Sequence, residues 1–263
     1  PEALYPQGVF YPALKEMGVK PYVFGVRDYT PSTYANVVMR GAKQTSFKTL
    51  SEALVNLGLL LEKTKRPVYA HLYFDRIDGL CHEYGPTAPQ TEAEIETFLL
   101  MMNHYFDRIF KGKRILFLMT ADHGASEVDP ETTVYLNIHP GFAGFDRFIR
   151  ANRNGQPLVP AGSARDLFLY LREESLDDAQ AFLSKRLEGK ADVVKTEHLI
   201  SEGYFGPEVT SRFRERVGNL VVLPYRYESV WWYEKDKYEQ GFYGHHGGLT
   251  PQEMETILYT LEV

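Results

Sequence analysis

The chain reads as an α/β protein, a parallel sheet interleaved with helices and followed by a smaller inserted subdomain. Three observations predict this. Short apolar strands alternate with amphipathic helices through the first 120 residues. Polar segments follow directly on two of those strands, where ligands of parallel sheets collect. After residue 130 the rhythm changes to short strands and helices behind a loop rich in Gly, Arg, Asn and Pro.

In chain order, residues 8–18 predict a short helix closing at Gly18, and Pro21–Gly25 a short buried strand. Ser46–Lys63 predicts a helix, with Leu50, Ala53, Leu54, Leu57, Leu60 and Leu61 on one face. Val68–Phe74 reads as a strand buried on both faces. Thr91–Phe110 reads as a helix opened by a Thr91/Glu94 capping box, with Ile95, Phe98, Leu99, Met102, Phe106 and Ile109 as its apolar stripe. Arg114–Thr120 is a further apolar strand. In the insert, 141–161 is loop and Arg165–Leu171 a strand. Leu176–Leu187 is a helix capped by Ser175, with Asp177 and Asp178 in its first turn. Val193–Thr196, Val209–Val217 and Leu220–Pro224 continue as strand, helix, strand. The predicted division is a first domain of residues 1–140 and 241–263, and an insert with its connector at 141–240. The connector Tyr225–Tyr243 is dense in Tyr and Trp, and packing and stacking on a nucleotide base are both open to it.

Composition bounds the function. The 263 residues are 44% apolar and 24% charged, as in ordinary globular proteins. A net charge of −6 without a basic run argues against a nucleic-acid scaffold. No run of about 18 apolar residues predicts a membrane span. No signal peptide is evident, although a chain opening Pro1-Glu2-Ala3 without Met is expected to be a trimmed piece. The single cysteine, Cys81, rules out a disulfide within these residues and fits a reducing, cytoplasmic setting; between Asp78 and His82 it reads as packing.

Three segments carry chemistry. Asp122-His123-Gly124 follows the strand ending at Thr120, with Gly124 leaving room for backbone to approach. Asp78-x-x-x-His82 follows the strand 68–74, and its spacing sets both side chains on one face of a helix. Asp75 competes with Asp78 for that role. Gly244-His245-His246-Gly247-Gly248 surrounds two histidines with three glycines, which predicts a special conformation. A helix start follows, with Thr250 as cap, Pro251 in the first turn and Glu253 at the capping-box position. Each segment alone also fits a bland turn. Together they offer Asp and His ligands without a cysteine set, which suits zinc or another borderline divalent ion in a catalytic role.

At this point the sequence resembles the type I phosphodiesterase/nucleotide pyrophosphatase branch of the alkaline phosphatase superfamily. The resemblance rests on Asp78–His82 with Tyr84-Gly85-Pro86, on Thr120-Ala121-Asp122-His123-Gly124, and on Gly244–Gly248 with Glu253-Met254. Arg165-x-x-Phe168 matches a strand of bacterial members. The resemblance implies an alkaline-phosphatase-like, mostly parallel sheet with helices on both faces and a small α+β insert. It implies two divalent metals, zinc before others. Asp78, His82 and His246 would hold one, and Asp122 and His123 the second with an Asp from a strand upstream.

The implied reaction is hydrolysis of a phosphodiester or nucleotide pyrophosphate through a Thr or Ser nucleophile. The matching nucleophile region would lie upstream of residues 8–18, so no catalytic nucleophile is identified. The nearest stand-in is Asp28 within Arg27–Thr33. The expected parent is a zinc-dependent diesterase, and this chain by itself is expected to be a fragment with little or no turnover. Rival readings are a phosphomonoesterase or phosphomutase of the same superfamily, and a non-catalytic metal-binding fragment. Expected partners are a small phosphodiester or nucleotide and, through an exposed sheet edge, a second copy as homodimer. Asn219 departs from the Asp that relatives carry in the insert.

Overall fold

The computed structural model describes residues 8–263; residues 1–7 of the predicted first domain lie outside them. Packing divides the chain into two compact units. One holds residues up to Gly79 with Glu92–Met119 and Tyr259–Val263, the other Leu80–Thr91 with Thr120–Leu258. These lines differ from the sequence-based division at 140 and 241.

The first unit opens with α1 (Tyr11–Glu16), shorter than the expected 8–18 helix. Then follow β1 (Lys20–Val26), α2 (Thr33–Val38), β2 (Lys43–Phe47), α3 (Leu50–Lys63) and β3 (Val68–Leu72). The strands form a parallel sheet in the order β2-β1-β3, with Tyr22 opposite Lys43 on one side and Ala70 on the other. Neither α2 nor β2 was expected, and Ser46 and Phe47 belong to β2 rather than to the helix. The helix starts later because Thr49 caps it, its hydroxyl accepting from the Glu52 amide at 3.2 Å, while the Glu52 carboxylate accepts from the Lys48 amide. Phe24, Val26 and Phe47 pack on Leu50, Ala53, Leu54 and Leu57, the face the periodicity marked.

After β3 come α4 (Arg76–Tyr84), α5 (Pro89–Phe110) and β4 (Leu116–Thr120). Phe98, Met102, Phe106 and Ile109 of α5 pack on the same core, whereas Ile95 and Leu99 are exposed. Thr91 does not cap α5, which begins two residues earlier; its buried hydroxyl donates to the Gly85 carbonyl at 2.8 Å. Two strand expectations need correction. β3 is an edge strand and only partly buried. β4 does not join the parallel sheet but pairs with Leu258–Glu262, a strand that was not foreseen. Reciprocal bonds between Ile115 and Val263, at 3.1 and 2.9 Å, make that pair antiparallel. Its Leu116 and Leu118 side chains are exposed.

The second unit contains β5 (Ser126–Glu127), β6 (Val134–Tyr135), β7 (Ala161–Ser163), β8 (Asp166–Leu169), α6 (Leu176–Arg186) and β9 (Ala191–Lys195). It continues through α7 (Thr196–Ser201), α8 (Ser211–Arg216), β10 (Leu220–Pro224), β11 (Val230–Trp231), β12 (Gly244–His245) and α9 (Pro251–Met254). Strands β7-β8-β10-β9 form an antiparallel sheet covered by α6. Leu167, Leu169, Leu171, Leu183, Leu187 and Leu220 are sealed within it.

Ser175 precedes α6 as expected, but its side chain makes no capping bond; Asp177 and Asp178 supply the negative charge there. Asn219 uses both halves of its amide. Its Oδ1 accepts from the Leu171 amide at 2.8 Å, and its Nδ2 donates to the Leu171 carbonyl and to Glu173. An ionised Asp could not make the last two bonds. Trp231 and Trp232 pack against the core of this unit.

Candidate metal centre

α4 starts after the strand β3 and ends at Gly85, whose φ of 100° suits glycine and whose amide donates to the Cys81 carbonyl. The helix carries Asp78 and His82 one turn apart on one face, as their spacing predicted. The His82 Nδ1 lies 2.8 Å from the Gly244 carbonyl. A carbonyl only accepts, so Nδ1 carries the proton and Nε2 presents the lone pair. The Gly244 backbone reaches that position because β12 pairs with β5, Gly244 opposite Glu127 and His245 opposite Ser126. The approach is close enough that a Cβ on Gly244 would lie 2.2 Å from the Cys81 carbonyl oxygen.

His246 follows at once. One ligand atom each from Asp78, His82 and His246 lies within 4.8 Å of the others, and all three residues are half-buried. The donor set of two imidazoles and one carboxylate fits a divalent cation of the zinc type. Catalytic zinc commonly takes three such protein ligands and keeps a fourth position open. Asp75 stands outside this group; its carboxylate accepts from the Tyr29 hydroxyl at 2.8 Å. Burial, aided by that bond, pushes the Tyr29 hydroxyl well above its ordinary value. The buried Cys81 contributes packing and a backbone carbonyl.

The second pair follows β4. His123 Nδ1 lies 2.9 Å from the Gly124 carbonyl, which again turns Nε2 outward as the lone-pair nitrogen. That Nε2 sits 3.7 Å from Asp122 Oδ1, near the separation of about 3.3 Å expected for two ligands of a tetrahedral ion with bonds near 2.0 Å. Asp122 is 69% exposed against 27% for His123. The His123 ring stacks on the His246 ring with centroids 3.6 Å apart and planes 15° from parallel, so the pair adjoins the cluster. Gly124 acts as its sequence position predicted. Its amide donates to the Glu253 carbonyl at 2.8 Å, and a Cβ there would lie 2.1 Å from the Gln252 carbonyl oxygen.

Three features were not singled out as parts of the site from sequence. His245 turns edge-on to His82 at 5.6 Å, and burial holds its imidazole below the ordinary range. Phe242 packs on the His82 ring at 4.7 Å. Glu253 does not complete a capping box. Its carboxylate is fully buried against Arg165, accepting from Arg165 Nε at 2.9 Å and Nη2 at 2.7 Å. It also accepts from the Gly248 amide at 2.9 Å and the Thr250 hydroxyl at 2.6 Å. Both residues stood in the segments that carry the family resemblance, but nothing in the sequence paired them across 88 positions.

The candidate Asp and His side chains thus lie on one helix and two loops of an α/β fold. The chain belongs to the type I phosphodiesterase / nucleotide pyrophosphatase family, whose sequence profile matches residues 10–249. Its fold is similar to murine ectonucleotide pyrophosphatase / phosphodiesterase 5, at 12% identity and a TM-score of 0.59, covering 95% of this chain and 62% of that one. The human counterpart matches at 13% identity and a TM-score of 0.58, with the same coverage. Phosphonoacetate hydrolase from Sinorhizobium meliloti matches at 15% identity and a TM-score of 0.59, covering 96% of this chain and 68% of that one. The chain thus spans somewhat less than two thirds of the length of the first two. No curated protein matches the sequence. Among the described residues no helix is long and apolar enough to cross a membrane.

Proposed function

We propose that this chain carries the metal-binding part of a hydrolase that cleaves phosphodiester or nucleotide pyrophosphate bonds. The observation that carries the reading is the convergence of Asp78, His82 and His246 within 4.8 Å. Asp78, His82 and His246 would hold one divalent ion, and Asp122 and His123 would contribute to a second, zinc being the ion that best fits the donors. Ions so bound would supply Lewis-acid stabilisation of the charge on phosphoryl oxygens. The chain's own part is to aim the ligands. Gly244 fixes the His82 tautomer, Gly124 fixes that of His123, and Phe242 packs on the His82 ring.

The reading calls for a Thr or Ser nucleophile, and none is identified among the described residues. Among the nearest stand-ins, Thr30 is buried at 3% exposure, and the Ser32 hydroxyl accepts from the Ala35 amide as the cap of α2. The substrate is a small phosphodiester or nucleotide; an inactive form of the murine structural neighbour was solved with AMP. The packing of Trp231 and Trp232 favours a connector over a base platform. The exposed Leu116 and Leu118 offer a face that a second copy would cover as a homodimer, and the lone buried Cys81 suits a cytoplasmic setting.

The test is metal content by elemental analysis, together with hydrolysis of p-nitrophenyl phosphodiester and monoester substrates by residues 1–263. Bound zinc with little turnover is expected. Rapid diester turnover would return the nucleophile to these residues. Absence of zinc would defeat the metal reading, and monoester turnover alone would favour the phosphomonoesterase alternative.

A further inference from the structure

Gly247 and Gly248 fasten His246 to a part of the molecule remote in sequence. The turn between β7 and β8 supplies the seat. The Asp166 carboxylate accepts from the Ser163 amide at 2.8 Å and from the Ser163 hydroxyl at 2.5 Å, and the same hydroxyl accepts from the Arg165 amide at 3.1 Å. Gly247, at φ 113°, rests on this turn so closely that a Cβ would lie 2.9 Å from Ser163 Oγ and 3.3 Å from Asp166 Oδ1. Gly248 is held from the other side. Its amide donates to Glu253, and a Cβ would lie 2.8 Å from Glu253 Oε2 and 3.1 Å from the Arg165 carbonyl.

Arg165 is itself locked. Its guanidinium forks onto Glu253, and Nη1 donates to the Tyr225 carbonyl at 2.8 Å and to the Glu228 carbonyl. Both members of the pair are within 2% of full burial. A buried ion pair often contributes little net stability compared with apolar packing, so a role in fixing geometry accounts for it better than a role in holding the unit together.

We infer that the buried Arg165–Glu253 pair, with the Ser163–Asp166 turn, is a positioning device that fixes the His246 backbone and thereby sets the metal affinity of the Asp78/His82/His246 cluster. The inference rests on the metal reading above. Arg165 and Glu253 are not ligands; they act through Gly248.

The experiment measures zinc affinity of the full chain by competition with a chromophoric chelator, on protein shown to be folded by its thermal melt. Glu253→Gln keeps the side-chain size but gives up the charge and one of the acceptor oxygens. It is expected to weaken zinc binding by about 10–100-fold, the range for outer-shell partners. Thr133→Val is the control; it removes the buried 2.7 Å bond to Ser229 in the same unit and should lower the melting temperature while leaving zinc affinity unchanged. If Glu253→Gln does not fold, the double variant Arg165→Met/Glu253→Leu replaces the pair by apolar side chains and decides the matter. It should still bind zinc more weakly than wild type. Wild-type affinity in the folded variant, or an equal loss in Thr133→Val, overturns the inference. Failure of the wild-type chain to bind zinc instead removes the metal reading on which it stands.

Discussion

The cluster of Asp78, His82 and His246 and the pair of Asp122 and His123 use the same residue types, yet they are built differently. In the first, the candidate ligands come from a helix and a loop, every one is half-buried, and the loop is anchored on a buried ion pair. In the second, both candidate residues are neighbours on one loop and the carboxylate is 69% exposed. The contrast teaches that ligand chemistry and ligand rigidity are separate properties. An exposed Asp must give up side-chain freedom to bind, whereas an imidazole already hydrogen-bonded to a fixed carbonyl gives up little.

The largest effect should come from His246→Ala. Zinc titration of the wild-type chain should resolve one tight and one weak site, and this substitution should abolish the tight one, a loss beyond the roughly 100-fold of an outer-shell change. Asp122→Ala should leave the tight site intact. Two equally tight sites in the wild type would break the comparison.

Next come the glycines that let backbone approach each half. Gly244→Ala and Gly124→Ala place a Cβ 2.2 Å and 2.1 Å from a carbonyl oxygen. Each should cost about 1–3 kcal/mol in urea unfolding, the usual cost of overpacking. Gly244→Ala should also weaken the tight site directly, through His82, and Gly124→Ala should weaken it less, because its Cβ presses on the backbone next to Glu253.

A third effect is on acid stability. Burial alone would raise the Glu253 carboxyl, but hydrogen bonds from Arg165, Thr250 and Gly248 outweigh it and hold the group below its ordinary value of 4.5. A carboxyl depressed on folding contributes stability that is fully present above its unfolded value and is lost as pH falls through the folded one. The urea midpoint should therefore fall as pH drops below about 4.5, and Glu253→Gln should flatten that slope. An unchanged slope would mean that the pair adds no acid-linked stability. The smallest effect is expected from Phe242→Ala, which removes the ring beside His82 and should weaken zinc binding by no more than about tenfold, at the mild end for outer-shell partners.

Much of this was legible in the sequence. The helix 50–63 showed its core face through periodicity, and Asp78 and His82 through their spacing, because both depend on residues close in the chain. The glycine at 124 announced a close approach without saying to what. What stayed hidden depends on distant partners. β4 reads from sequence as a further strand of the parallel sheet because its apolar run is indifferent to context, and only the strand 258–262 decides its pairing. The last two residues of β2, Ser46 and Phe47, fall in the predicted helix because the Thr49/Glu52 cap that marks the true start is not used there. Glu253 sat at a capping-box position, and local reasoning could not see that Arg165 had claimed its carboxylate.

The His82–Gly244 bond joins residues 162 positions apart, and that span carries a consequence for biosynthesis. At about 5–20 residues per second, a ribosome needs on the order of ten to thirty seconds to travel from one to the other. Throughout that interval α4 can present Asp78 and His82 but no third ligand. On the metal reading proposed above, tight binding of an ion would therefore wait until the chain has been made through His246.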